Sequence, residues 1–225
     1  MYGKTKLKRR QIKEDRFAVF MLNARQQFLD YWQYVVIGIV AVVLVIVGVV
    51  YYFNSLEAKK VEAAQRFARA LQDYGRGNTQ VAIMGLNQLL EDDQGSDIAE
   101  QATFLLGNIN LEARNYPEAI RYCEMYLANY ADNRFHRASA LAGIATCLEN
   151  QGQYADAAAR FEAAYQEYPE GPLNGDYRLS AMRNCLAVGD TERAQTHLEF
   201  IEENFKGTSL AMRAARIFSE KRRSS

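Results

Sequence analysis

Between Val35 and Phe53 the chain runs VVIGIVAVVLVIVGVVYYF, nineteen residues without a charge. Wound as an α-helix, such a stretch covers roughly 28 Å, close to the ~30 Å hydrocarbon thickness of a bilayer. Thirteen of the nineteen are Val, Ile or Leu, each favouring insertion by about 0.3–0.6 kcal/mol. Tyr31, Trp32 and Tyr34 precede the run and Tyr51, Tyr52 and Phe53 close it, which places amphipathic rings at both headgroup levels. A buried helix of a soluble domain gives no reason for two aromatic belts. A cleaved signal peptide has a shorter apolar core, about 7–15 residues, ending at a small-x-small site. Here the run exits into Tyr51, Tyr52, Phe53 and Asn54, and no cysteine follows it directly to carry a lipid. Residues 31–54 therefore read as one transmembrane helix, a signal anchor that is retained.

Charge gives that anchor a direction. Basic and acidic side chains number 27 each, so no net excess points to nucleic acid. The balance conceals a segregation: residues 1–30 carry +5, residues 31–53 carry nothing and residues 54–225 carry −5. Lys4, Lys6, Lys8, Arg9, Arg10, Lys13, Arg16 and Arg25 precede the span, against Lys59, Lys60, Arg66 and Arg69 shortly after it. The positive-inside rule keeps residues 1–30 cytoplasmic and sends the body across the membrane. Within the tail, Phe17, Met21, Ala24, Phe28 and Trp32 recur at helical spacing, which predicts an amphipathic helix on the inner leaflet or an extension of the span. Gly38, Ala41, Val45 and Gly48 share one face of the span, a weak signal for close helix approach.

The remainder repeats itself. GNTQVAI at 77–83, RNYPEAI at 114–120, GQYADAA at 152–158 and GDTERAQ at 189–195 align on Ala82, Ala119, Ala157 and Ala194, which are 37, 38 and 37 residues apart. Each copy reads as helix, tight turn, helix. The turns fall at Gly77, Asn115, Gly152 and Gly189, residues that tolerate a left-handed backbone. Pro117 suits the first turn of a second helix, where its missing N–H costs nothing. Asp97 with Glu100 reads as a capping box for the first helix of the second copy. Twelve residues before each shared alanine stand Ala70, Gly107, Ala145 and Met182; small against small lets paired helices approach closely.

On these residues the chain resembles the tetratricopeptide repeat family. The third copy carries the resemblance best, with Leu141, Ala145, Leu148, Gly152, Tyr154, Ala157, Phe161, Ala164 and Pro169. The second keeps Leu106, Gly107, Tyr116 and Ala119 but has Cys123 for the aromatic and Ala131 for the proline, and the first and fourth are degenerate. The period exceeds the family's 34, as in HEAT-like pairs, yet the G-x-Y-x-x-A signature favours the tetratricopeptide reading. The expected fold is all-α: an N-terminal transmembrane helix, then a tetratricopeptide-like α-solenoid of about four helix pairs over 55–222. Its repeats fall at about 56–95, 96–132, 133–170 and 174–206, with a capping helix over 208–222 that covers the open apolar end.

No catalytic constellation, phosphate loop, cofactor fingerprint or metal-ligand spacing is recognisable. Cys123, Cys147 and Cys185 occupy repeat positions that face the pair interior and read as core thiols. His136 and His197 have no interpretable acidic or nucleophilic neighbour, and Glu91, Asp92 and Asp93 read as a solvated turn. The resemblance implies that the first helices line a concave groove. Matching the pattern residue by residue gives it Phe67, Leu71, Tyr74, Phe104, Asn108, Leu111, Ala142, Thr146, Leu179 and Arg183. Its N-terminal half is apolar and aromatic, suited to a hydrophobic peptide or amphipathic helix, unless these rings cover one another or the span-proximal helix. The layout of basic tail, single span and acidic repeat body resembles the single-span ancillary subunit of the bacterial Sec translocon. That resemblance implies a non-enzymatic adaptor in the inner membrane with a periplasmic body, meeting translocon or chaperone subunits and membrane lipid. The alternative is a structural subunit of a larger envelope or cell-division complex.

Overall fold

A computed structural model describes residues 9–92, 95–130 and 132–224. Lys4, Lys6 and Lys8 of the basic tail, the side chain of Phe28, and Asp93 and Ala131 lie outside the described residues. The chain divides into two compact units, Met1–Lys60 and Val61–Ser225.

In the first unit a single element dominates. Helix α1 runs from Arg9 to Gly75, so the 31–54 stretch has no break at either end, and the segment bearing Phe17, Met21 and Ala24 extends the same helix. Every residue from 31 to 54 is exposed. One helix is thus long and apolar enough to cross a membrane, and none of that stretch is buried within the protein.

The second unit is all-α among its described residues. The last residues of α1 are followed by α2 (Thr79–Asp92), α3 (Asp97–Glu112), α4 (Tyr116–Asn129), α5 (Arg134–Asn150), α6 (Tyr154–Glu167), α7 (Asn174–Val188), α8 (Thr191–Asn204) and α9 (Ser209–Ser224). From α2 onward each helix packs on the next in sequence, and α9 packs on both α7 and α8. All four shared alanines, Ala82, Ala119, Ala157 and Ala194, are 0 % exposed. Four residues further along the second helices stand Leu86, Cys123, Phe161 and Leu198, all buried. The core is a chain of local clusters rather than one centre. Ala70, Leu86, Leu106 and Tyr122 form one cluster; Cys123, Tyr126 and Ile144 the next; Ala145, Phe161 and Tyr177 a third. Met182, Leu198, Ile201, Ala214 and Phe218 form the last, where α9 closes the stack. Neighbour-on-neighbour burial of this kind defines a solenoid.

Local chemistry explains where the helices begin and end, with two corrections to the sequence reading. Gly77, Gly152 and Gly189 do adopt left-handed backbone, with φ of 83, 77 and 83°. In the second copy, however, the left-handed residue is Arg114, at φ 59°, and not Asn115. Asn115 instead caps α4 at φ −86°, its side-chain amide donating to Asn110 Oδ1 at 3.0 Å. The cap of α3 is likewise one residue earlier than expected: Ser96 Oγ accepts from the Ala99 N–H at 3.1 Å, while Asp97 and Glu100 lie in the first turn. There the two carboxylates favour the positive end of the helix dipole.

A non-glycine residue held left-handed at Arg114 costs about 1–2 kcal/mol. Part of that strain is relieved by glycine, whose own entropy cost offsets the rest. Arg114→Gly is therefore expected to stabilise the second unit by ~0.5–1 kcal/mol, read as a higher unfolding midpoint by circular dichroism. A lowered midpoint contradicts this account of the turn.

Candidate partner-binding surface

The residues assigned to the groove by the sequence pattern divide into three kinds. Leu71, at 43 %, and Arg183 are exposed. Phe67, Tyr74, Phe104, Asn108, Leu111, Ala142 and Thr146 are half-buried. Leu179 is a correction: at 2 % exposed it belongs to the core with Met182, Cys185 and Leu198, and offers no surface to a partner. The degenerate fourth repeat lacks the landmarks that would have fixed the facing of α7.

The half-buried aromatics have work within the fold. Phe67 and Tyr74 pack against the cluster of Ala70, Leu86 and Leu106. Phe104 stacks on the His136 ring, with centroids 4.4 Å apart, and meets Tyr126 edge-on at 5.5 Å. The rings that cover Phe104 thus come from outside the residues assigned to the groove. Polar side chains bridge successive first helices beside them. The Tyr74 hydroxyl donates to the Glu112 carboxylate. Arg183 forms a forked pair with Glu149, donating from Nε at 2.9 Å and from Nη2 at 2.8 Å. Thr146 donates its hydroxyl to the Ala142 carbonyl at 2.8 Å. Leu71, with the outer edges of its half-buried neighbours, remains as apolar contact surface.

The cysteines are core groups. Cys123, Cys147 and Cys185 are buried and free. Cys123 Sγ sits so close to Gly107 and Gly143 that a Cβ on either would lie 3.0 or 3.3 Å from it. Such crowding accounts for a thiol where other copies carry larger groups. Burial pushes the Cys123 thiol up to about 12 and Cys147 up to about 11, and raises Cys185 as well. A protonated, enclosed thiol is a poor nucleophile.

His197 does have an acidic neighbour, which the sequence reading missed. Its Nε2 lies 2.8 Å from Glu162 Oε1, while Arg193 donates to Glu162 Oε2 at 2.8 Å. The repeat itself held the signal, since Glu162 stands five residues after Ala157 and His197 three after Ala194. The same two places in the first and second copies hold Asn87 and Tyr122, which are also hydrogen-bonded to each other. Glu162, Cys185 and His197 bring one ligand atom each to within 4.8 Å of one another, a possible three-ligand metal set. The hydrogen bonding opposes it. Arg178 Nη1, an obligate donor, faces His197 Nδ1 at 3.5 Å. Nδ1 is therefore the acceptor and Nε2 carries the proton given to Glu162. A cation on Nε2 would move that proton to Nδ1 and set donor against donor.

Residues 25–173 match the family described as tetratricopeptide repeat-like domain, well over half of the chain, and the protein belongs to that family. Among solved structures, the nearly identical TPR-like repeats of a putative kinesin light chain from Podosopora anserina superpose at TM-score 0.55. They are 14 % identical, covering 71 % of this chain and 85 % of that one. YrrB, described as a TPR protein with an unusual peptide-binding site, superposes at 0.53, is 16 % identical and covers 70 % of this chain and 76 % of its own. At such identities the likeness concerns the fold. No curated protein matches the chain.

Burial lowers the His197 pKa below its usual 6.5; the Glu162 hydrogen bond opposes this, and the charges of Arg178 and Arg193 add to it. Folding therefore favours the neutral ring. Its contribution to stability is complete above about pH 6.5, the value in the unfolded chain, and is lost as pH falls toward the lower folded pKa. Wild-type stability should fall more steeply than that of His197→Gln as pH drops from ~7 to ~5. Parallel pH profiles in denaturant titrations would contradict the neutral assignment.

Proposed function

We propose that this protein is a membrane-tethered tetratricopeptide adaptor of the bacterial inner membrane, without catalysis of its own. In this reading residues 1–30 are cytoplasmic, residues 31–54 cross the bilayer and the repeat body is periplasmic. It holds protein partners there and links the Sec translocon to chaperones outside the membrane.

The observation that carries the reading is a single helix whose 31–54 stretch is exposed at every residue and apolar almost throughout, in a chain whose other unit is a tetratricopeptide body. Exposed Val, Ile and Leu on this scale have no satisfactory environment in water. The family match supports the same view, because it begins at residue 25 and runs through the apolar stretch into the repeats. That the matched range includes the stretch supports a retained anchor over a removed leader. Charge supports the orientation, with eight basic residues before the span and the positive-inside rule to interpret them.

The groove supports the choice of ligand. Leu71, Phe67, Tyr74, Phe104 and Leu111 supply the apolar side chains of the proposed surface and favour an apolar segment of a protein partner. Asn108, Ala142, Thr146 and Arg183 continue the surface with a more polar character. YrrB is described as binding peptide, and the same ligand class is proposed here. Tethering raises the local concentration of a partner that is itself held at the membrane.

Two arms test the proposal. A reporter enzyme active only outside the cytoplasm, fused after Arg222, is expected to be active; activity confined to a cytoplasmic reporter would reverse the topology. A photo-crosslinker at Leu71 is expected to capture translocon or chaperone subunits, whereas one at Met84, exposed on α2, captures them weakly. Equal capture from both positions counts against the groove.

A further inference from the structure

Among the described residues of the repeat body, Arg178 is the one half-buried arginine without a carboxylate partner. Its guanidinium packs against the Tyr165 ring at 3.7 Å and the Phe200 ring at 3.9 Å, two rings that meet edge-to-face. Among the described residues its one hydrogen-bonding neighbour is His197, at a long 3.5 Å, and its buried Nε has no partner. With Nε unpartnered and the His197 contact long, the N–H groups of this cation keep hydrogen-bonding capacity to spare. A cavity of about 240 Å³ opens between α6, α7 and α8, lined by Arg178 with Gln166, Arg193 and Thr196.

Comparison with the other repeats shows what is unusual. Arg178 stands sixteen residues before Ala194, and the same place in the first three copies holds Arg66, Thr103 and Leu141. Thr103 and Leu141 establish that hairpin packing needs no cation there. Arg66 does carry one, and it bonds two carboxylates, Glu62 at 2.7 Å and Asp92 at 2.5 Å. In the fourth copy the corresponding residues are Asn174 and Asn204. The cation has been kept and both of its carboxylates replaced by neutral amides. Glu162, the nearest acid in the cavity, is already engaged by Arg193 and His197.

We propose that this cavity is a carboxylate-binding site in which the under-satisfied N–H groups of Arg178 take a carboxylate supplied by a peptide. The volume suits one acidic group with its short stem rather than a whole small-molecule ligand. A planar guanidinium favours a forked pair with such a group. The balance of charge agrees: Arg178 and Arg193 against Glu162, with His197 neutral, leaves the site at +1. The site is built by α6, α7 and α8 and shares no residue with the apolar groove, so either can fail without the other.

The test uses the full chain in detergent with propionate as the probe and the Arg178 Nε–H nuclear magnetic resonance signal as the readout. Propionate is expected to shift that signal saturably, and propionamide, the neutral isostere, to leave it unmoved. Glu162→Gln, which removes the competing negative charge, is expected to tighten propionate binding by about 10-fold. This variant keeps Arg178 intact, so it reports even if Arg178→Gln does not fold. N-acetylated tripeptides separate the sources. A larger response to an internal glutamate assigns the site to acidic side chains; a larger response to a free terminus assigns it to chain ends; either supports the proposal. No shift with any carboxylate, or an equal shift with propionamide, overturns it.

Discussion

The fold rests on how near two helices can come to each other. Ala82, Ala119, Ala157 and Ala194 are all completely enclosed, and three of the four first helices bring Ala70, Gly107 or Ala145 to the pair. Methyl groups and bare backbone at these points let the larger neighbours interdigitate at native density. Leu86, Phe161 and Leu198 can then fill the space four residues further on. Where Gly107 of the second copy and Gly143 of the third both crowd one side chain, a cysteine replaces the larger group. Each hairpin buries its apolar face on the next, which is why the core is a series of clusters and why α9 is needed to cover the last.

Polar groups lie along the edges of this stack and tie consecutive repeats together. Tyr74 with Glu112 and Arg183 with Glu149 bridge first helices; Asn87 with Tyr122 and Glu162 with His197 bridge second helices. The two first-helix pairs are exposed and contribute at most about 1 kcal/mol each, so they tune the stack more than they hold it. Their functional meaning lies in what they leave over. Along the first helices that is the apolar surface at Leu71; between α6, α7 and α8 it is the cation of Arg178.

Much of the fold was legible because its physics is periodic. The uncharged run at 35–53 and the even spacing of four alanines needed no tertiary information, and glycines at 77, 152 and 189 marked turns through their left-handed backbone. Reading failed where a local interaction outcompeted the pattern. Ser96 caps α3 because it immediately precedes the helix in extended conformation, and Asn115 is drawn to Asn110, leaving Arg114 to take the left-handed angle. At the site, periodicity placed residues on helices but could not assign facing in the degenerate fourth repeat, so Leu179 was read as surface when it is core. His197 with Glu162 was hidden differently. The two are 35 residues apart, and only comparison of equivalent repeat positions brings them together.

Close approach at the shared alanines is the premise from which the stacking, the surface at Leu71 and the Arg178 cavity all follow. Its most direct measurement is the unfolding free energy of Ala157→Leu, which adds three carbons at a position that is 0 % exposed. Overpacking of this kind costs ~1–3 kcal/mol, and a loss of that size is expected in denaturant titration of the full chain. An unfolding curve that coincides with that of the wild type would mean that the helices do not meet there.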